Sequence, residues 1–122
     1  MADEFDKELD EYLKILDENV NWTVIGTTEV SGTYTSRQDF IDDAVRKIGK
    51  RIDGQVTPKI VDIITEGDRL VFRWDGSGKM ADGTPYRNRY SWAMTFKDGK
   101  VVEGTAYLDT ALVDRLMELP SG

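Results

Sequence analysis

The sequence predicts an α+β domain in which a strongly curved, mixed or antiparallel β-sheet forms a cone wrapped around helices. Three observations lead there. Residues 86–96 alternate strictly, with Tyr86, Asn88, Tyr90, Trp92, Met94 and Phe96 on one face and Arg87, Arg89, Ser91, Ala93 and Thr95 on the other. A period of two marks a strand with one large, mostly apolar face. Next comes Asp98-Gly99, a pair tolerant of the positive φ angles of a tight turn, and a second alternating run returns with Val102, Gly104, Ala106 and Leu108 sharing a face. Finally, helical spacing occurs in stretches that precede and follow a block of strands rather than alternating with it.

In chain order, residues 3–17 read as an amphipathic helix with Phe5, Leu9, Tyr12, Leu13 and Leu16 on one stripe, closed by Asp17-Glu18-Asn19. Asp3 and Glu4 suit the positive end of its dipole. Val20, Trp22 and Val24 alternate with polar neighbours as a strand, and a second extended piece is expected around Val30. Thr35-Ser36-Arg37-Gln38 is a capping-box pattern opening a helix that turns Phe40, Ile41, Ala44, Val45 and Ile48 inward. Gly49 and Gly54 bracket its end. Strands are expected over 58–65 and from Arg69 to about Met80, with a turn at Glu66-Gly67-Asp68 between them and another at Asp82-Gly83 before the long hairpin. Asp109 or Thr110 can cap a short last helix bearing Leu112, Val113, Leu116 and Met117.

The 122 residues suit one domain, 1–122, large enough for a hydrophobic core. No apolar run approaches the roughly 20 residues of a membrane span, and the acidic start argues against a targeting segment, so a cytoplasmic location is expected. The chain has no Cys, which excludes disulfides and thiolate chemistry. It also has no His, which removes the commonest general base and metal ligand. No metal or cofactor is expected. A net charge of −7 argues against nucleic acid and anionic membranes as partners.

Residues 22–40 (WTVIGTTEVSGTYTSRQDF), 66–74 (EGDRLVFRW) and 82–110 (DGTPYRNRYSWAMTFKDGKVVEGTAYLDT) resemble the SnoaL-like branch of the nuclear transport factor 2-like superfamily. That branch includes ketosteroid isomerases, polyketide cyclases and limonene-epoxide hydrolases. The resemblance implies the conical fold and a ligand site at its mouth. It also implies a family helix ahead of the first one seen here, for which this chain has no room. Carried over by position, the isomerase base falls on Thr23 or Val24, and the second isomerase acid on Trp92. The cyclase His and Asp fall on Gly104 and Ala106. None of these can do the acid–base work. The epoxide-hydrolase Arg-x-Asp matches Arg73-Trp74-Asp75, while its second Asp falls on Ala106.

Two readings of the strand at 69–80 remain open at this stage. Either Arg73 and Asp75 face the cavity, where an Arg fork would hold the carboxylate for isomerase-like or hydrolase-like chemistry, or Leu70, Phe72 and Trp74 face it and the charged pair is solvated. The leading functional expectation is binding of a small hydrophobic molecule. Trp22, Tyr34, Tyr90, Trp92 and Met94 would form an aromatic wall, Thr23 and Asn88 (with Asn21) polar handles, and Gly104 and Ala106 would leave space opposite the rings. A third possibility is a homodimer through the sheet, pairing Arg87, Arg89, Glu103, Thr105 and Tyr107 with a second copy, as a scaffold or a designed chain without a ligand.

Overall fold

A computed structural model describes residues 13–120. Its strands are β1 (Leu16–Val24), β2 (Gly32–Tyr34), β3 (Ile52–Glu66), β4 (Arg69–Met80), β5 (Pro85–Lys97) and β6 (Lys100–Leu108). They form one six-stranded sheet in the order β2-β1-β6-β5-β4-β3. β1 runs parallel to β6 and all other neighbours are antiparallel, so the sheet is mixed. Helix α1 spans residues 37–49 and helix α2 spans Thr110–Met117. This is the expected α+β architecture.

The block β3–β6 follows from local signals. β4 has the expected bounds, and the β5–β6 turn has φ of 53° at Asp98 and 80° at Gly99. Positive φ at both central residues is the hairpin geometry whose twist matches the strands it joins. β3 is longer than expected, starting at Ile52. Pro58 lies inside it, which a strand at the sheet edge tolerates because its N–H side need not pair.

Several boundaries differ from the sequence reading. Most of the expected helix 3–17 lies outside the described residues, but its last part is strand: Leu16 to Asn19 belong to β1. Leu16 pairs with Val101, and the Val101 N–H donates to the Ile15 carbonyl at 2.9 Å. Pairing with a strand about 85 residues away (101 − 16) overrides the local helical spacing. The piece around Val30 is a turn, held by Thr28 and Ser31 side chains, and extension resumes only at Gly32. The cap of α1 is Ser36, whose Oγ accepts from the Asp39 N–H at 3.0 Å, one residue later than the Thr35 pattern suggests. Within α1, Ile41–Val45 forms a π-helical segment. On β6 an irregularity opposite Thr95 and Phe96 flips the parity, so Val101 rather than Val102 is buried.

The core lies between the concave sheet face and the two helices. α1 supplies Phe40, Ile41, Ala44 and Val45, and α2 supplies Val113 and Leu116. Val20, Trp22, Tyr86, Met94, Val101 and Ala106 meet them from the sheet. Arg51 ties the far end together, donating from Nε to the Leu119 carbonyl and from Nη1 to that of Lys47.

Candidate functional site

Strand register decides what faces the cone. Along β4, Leu70, Phe72 and Trp74 pair with Met94, Trp92 and Tyr90 of β5, so these six share the concave face. Arg73 and Asp75 pair with Ser91 and Arg89 and point to the outer face. The parity left open by the sequence therefore resolves against a buried Asp75 held by Arg73. Arg73 instead makes a loose, half-exposed ion pair with Asp62 at 3.6 Å, and neither residue brings acid–base chemistry to the concave face.

That face carries a continuous aromatic cluster. Trp92 is at its centre, edge-on to Trp22 (5.1 Å between ring centroids), Trp74 (5.2 Å) and Phe72 (6.3 Å). Trp74 stacks on Tyr90 at 4.0 Å with 6° between planes. Phe40 closes the inner end, touching both Trp22 and Tyr34. Edge-on and offset contacts suit the ring quadrupoles. Gly76 makes room for the stacked pair, since a Cβ there would lie 3.1 Å from both the Trp74 and Tyr90 rings.

The cluster has a closed end and an open end. Trp22 is fully buried, whereas Phe72, Trp74, Tyr90 and Trp92 stay half-buried. Beside them on the same face are Ile60 and Ile63 of β3, 60% and 52% exposed. Ile60 pairs with Trp74 and Ile63 with Phe72, three residues apart yet on one face because the ladder is irregular at Val61. The indole N–H groups of Trp22, Trp74 and Trp92 are buried and have no acceptor among the described residues.

The expected ligand residues divide accordingly. Trp22, Tyr34, Tyr90, Trp92, Met94 and Ala106 lie on the concave side. Thr23 does not: it faces outward with Asn21 and shares a 3.0 Å hydrogen bond with Thr33 of β2. The space expected opposite the rings is filled, because the Trp22 ring lies directly on Gly104. Asn88 is a structural clasp, 1% exposed, with its amide committed to Tyr86 and to the backbone of Asp109. The sequence reading passed over Ile60, Ile63, Phe72 and Trp74 as ligand contacts; a signal existed in the run KIVDIIT, too apolar for a solvated edge strand.

At the edge of the cluster, the Tyr86 and Tyr90 hydroxyls share a 2.6 Å hydrogen bond. Burial raises both phenols above the usual 10.0, Tyr90 well above it, with Tyr86 adding to the shift at Tyr90. A phenol whose folded pKa is raised contributes stability that is complete below the unfolded value and is lost as pH climbs toward the folded one. Stability is therefore expected to hold to about pH 10 and to fall above it. Urea unfolding across that range, read with phenolate absorbance, checks this; phenolate formation at Tyr86 and Tyr90 without loss of stability would contradict it.

Among the described residues no helix is long and apolar enough to cross a membrane, and no group of three or more acidic side chains could hold a metal ion.

Comparison with known proteins agrees with this geometry. The sequence profile of the SnoaL-like domain matches residues 4–104. No curated protein matches the sequence. Among solved structures, a nuclear transport factor 2-like protein from Burkholderia thailandensis is similar at 24% identity and a TM-score of 0.73, over 88% of this chain and 82% of that one. One of unknown function from Burkholderia pseudomallei gives 20% and 0.77, over 93% and 87%. A Catenulispora acidiphila protein with a ketosteroid isomerase-like fold, in complex with trimethylamine, gives 14% and 0.69, over 89% and 81%. At these identities the likeness establishes the fold alone.

Proposed function

The chain belongs to the SnoaL-like domain family, and from that premise we propose that it binds a small, largely hydrophobic molecule on the concave face of its sheet, without isomerase or cyclase acid–base chemistry. One observation carries the reading: an aromatic cluster left open at its β3 end, with buried indole N–H groups that lack an acceptor among the described residues. A buried donor left unmatched is costly. A flat apolar ligand bearing a carbonyl or similar acceptor would cover Phe72 and Trp74, bury Ile60 and Ile63, and offer a partner to the indole N–H groups at the open end, those of Trp74 and Trp92. The trimethylamine complex of the Catenulispora protein is a precedent for a small guest in this fold. The positions where the resemblance would put acids or a histidine hold Thr23, Trp92, Gly104 and Ala106, which supports binding over catalysis.

All three tryptophans of the chain lie in the cluster, so intrinsic fluorescence reports on this face. Titration with a panel of steroids, terpenoids and aromatic ketones is expected to give a saturable change. Trp74→Ala should weaken binding about tenfold or more, the loss of a large stacking surface. No response across the panel, or unaltered affinity in both Trp74→Ala and Ile60→Lys, would count decisively against the proposal.

A further inference from the structure

The outer face of the sheet carries a hollow that ligand binding on the other side leaves unexplained. Its volume is about 480 Å³, its polar walls are Arg73, Asp75, Arg89, Ser91 and Tyr107, and Val61 closes its β3 side. Register explains why space opens there. Ser91 of β5 stands between Arg73 of β4 and Tyr107 of β6, and Arg89 lies two residues along β5, opposite Asp75. A serine ringed by four larger side chains becomes a floor, since neighbours in this arrangement have Cβ atoms only about 5–8 Å apart.

The walls have unused hydrogen-bonding capacity. Among the described residues, the side chains of Asp75, Arg89, Ser91 and Tyr107 make no ion pair or hydrogen bond, and Arg73 has only its 3.6 Å contact with Asp62. A guanidinium is all donor, so two Arg forks here lack acceptors. Cations also outnumber carboxylates at this end of the face. Lys59 stands opposite Asp75, Asp62 opposite Arg73, and Arg87 lies beside Arg89 on β5. Asp109, the next carboxylate, is engaged in capping α2. Lys59, Arg73, Arg87 and Arg89 therefore surround Asp62 and Asp75, in a chain of net charge −7.

We propose that this hollow binds a small organic carboxylate, its anionic group held above Ser91 between the Arg73 and Arg89 forks and its body against Val61 and the Tyr107 ring. An Arg fork matches the two oxygens of a carboxylate, and the Ser91 and Tyr107 hydroxyls can donate to the same group. Two features select this class. An inorganic anion would leave most of the 480 Å³ unfilled and gain nothing from Val61 or from Tyr107, which is 48% exposed. A dianion would be repelled by Asp75, whereas a monoanion leaves that carboxylate to accept from a hydroxyl or amino group elsewhere on the ligand. The site does not depend on ligand binding at the concave face.

Amide NMR titration of the full chain with benzoate and cinnamate, alongside benzamide and inorganic phosphate, tests this. Saturable shifts are expected for both carboxylates, and binding at least tenfold weaker for benzamide and for phosphate. Raising sodium chloride from about 50 to 500 mM should weaken the carboxylates. Arg73→Gln and Arg89→Gln should each reduce cinnamate affinity about tenfold or more. Asp75→Asn should increase it severalfold by removing the opposing charge. All three variants should keep the circular dichroism spectrum of the parent. Benzamide or phosphate binding as well as benzoate overturns the proposal. So does cinnamate affinity that both arginine variants leave unchanged, which would put the carboxylate on the concave face. Shifts absent for both carboxylates up to about 10 mM overturn it too.

Discussion

Trp22→Ala is expected to lower the unfolding free energy by about 3–5 kcal/mol, a large share of the roughly 5–15 kcal/mol that holds such a domain together. The indole is fully buried. It joins α1 to the sheet through Phe40 at 5.6 Å and contacts Trp92 at 5.1 Å. Its six-membered ring lies on Gly104, where an added Cβ would overlap Cζ3 and sit 2.6 Å from Cε3. The glycine is therefore half of the interaction. Gly104→Ala on its own should destabilise by about 1–3 kcal/mol through overpacking. In the Trp22→Ala background that penalty should largely vanish, since the clashing ring has gone. Guanidinium unfolding of the two single variants and the double variant gives the coupling; additive effects would show that the ring and the glycine do not share this space.

The same pair shows what the sequence could reveal. Alternation made β4 and β5 legible down to their ends, and Asp98-Gly99 disclosed its own turn. The small side chains at 104 and 106 were visible as well, but no local pattern states which distant ring fills the space above them. Leu16 was misread because Leu9, Leu13 and Leu16 continue a helical spacing, and its real partner, Val101, comes from the other end of the chain. Val101 and Val102 were exchanged because a single irregular position flips every side chain before it. The site was harder still. Phe72 and Trp74 alternate with Arg73 and Asp75, and either set could have faced inward until the pairing with Trp92 and Tyr90 fixed the parity. Ile60 and Ile63 were hidden by the irregularity at Val61, which puts residues three apart on one face.

The two faces of this sheet differ in chemistry. The concave face concentrates rings and three indole donors. The outer face holds small residues and charges of both signs. Arg73 and Asp75, which the sequence offered as a catalytic pair, belong to the outer set. Substituting Asp75 is accordingly expected to leave ligand affinity on the concave face unchanged.

Asn88→Leu is the second change with a large expected effect. Asn88 lies 1% exposed on β5. Its Oδ1 accepts from the Asp109 N–H at 2.9 Å, and its Nδ2 donates to the Asp109 carbonyl and the Tyr86 hydroxyl, both at 3.1 Å. Asp109 in turn caps α2, its carboxylate accepting from the Ala111 and Leu112 N–H groups. One side chain thus joins the aromatic strand to the start of the last helix and to the Tyr86–Tyr90 pair. Leucine matches the volume but leaves a backbone donor and a backbone acceptor without partners and takes one of two hydrogen bonds from the Tyr86 phenol. At about 1–3 kcal/mol for each buried group left unmatched, with part of this relieved by relaxation, a loss of about 2–4 kcal/mol is expected. Asn88→Asp separates the hydrogen bonding from the shape. Its carboxylate keeps the acceptor for the Asp109 N–H, but when ionised it faces a carbonyl oxygen and lacks a donor. Burial should raise its pKa above the ordinary ~3.9. Protonation then favours the folded state, so Asn88→Asp should be least destabilised below about pH 4 and increasingly so toward pH 7. Urea unfolding at both pH values, referred to the parent chain, gives the answer; a deficit that does not depend on pH would mean that Asn88 acts through packing alone.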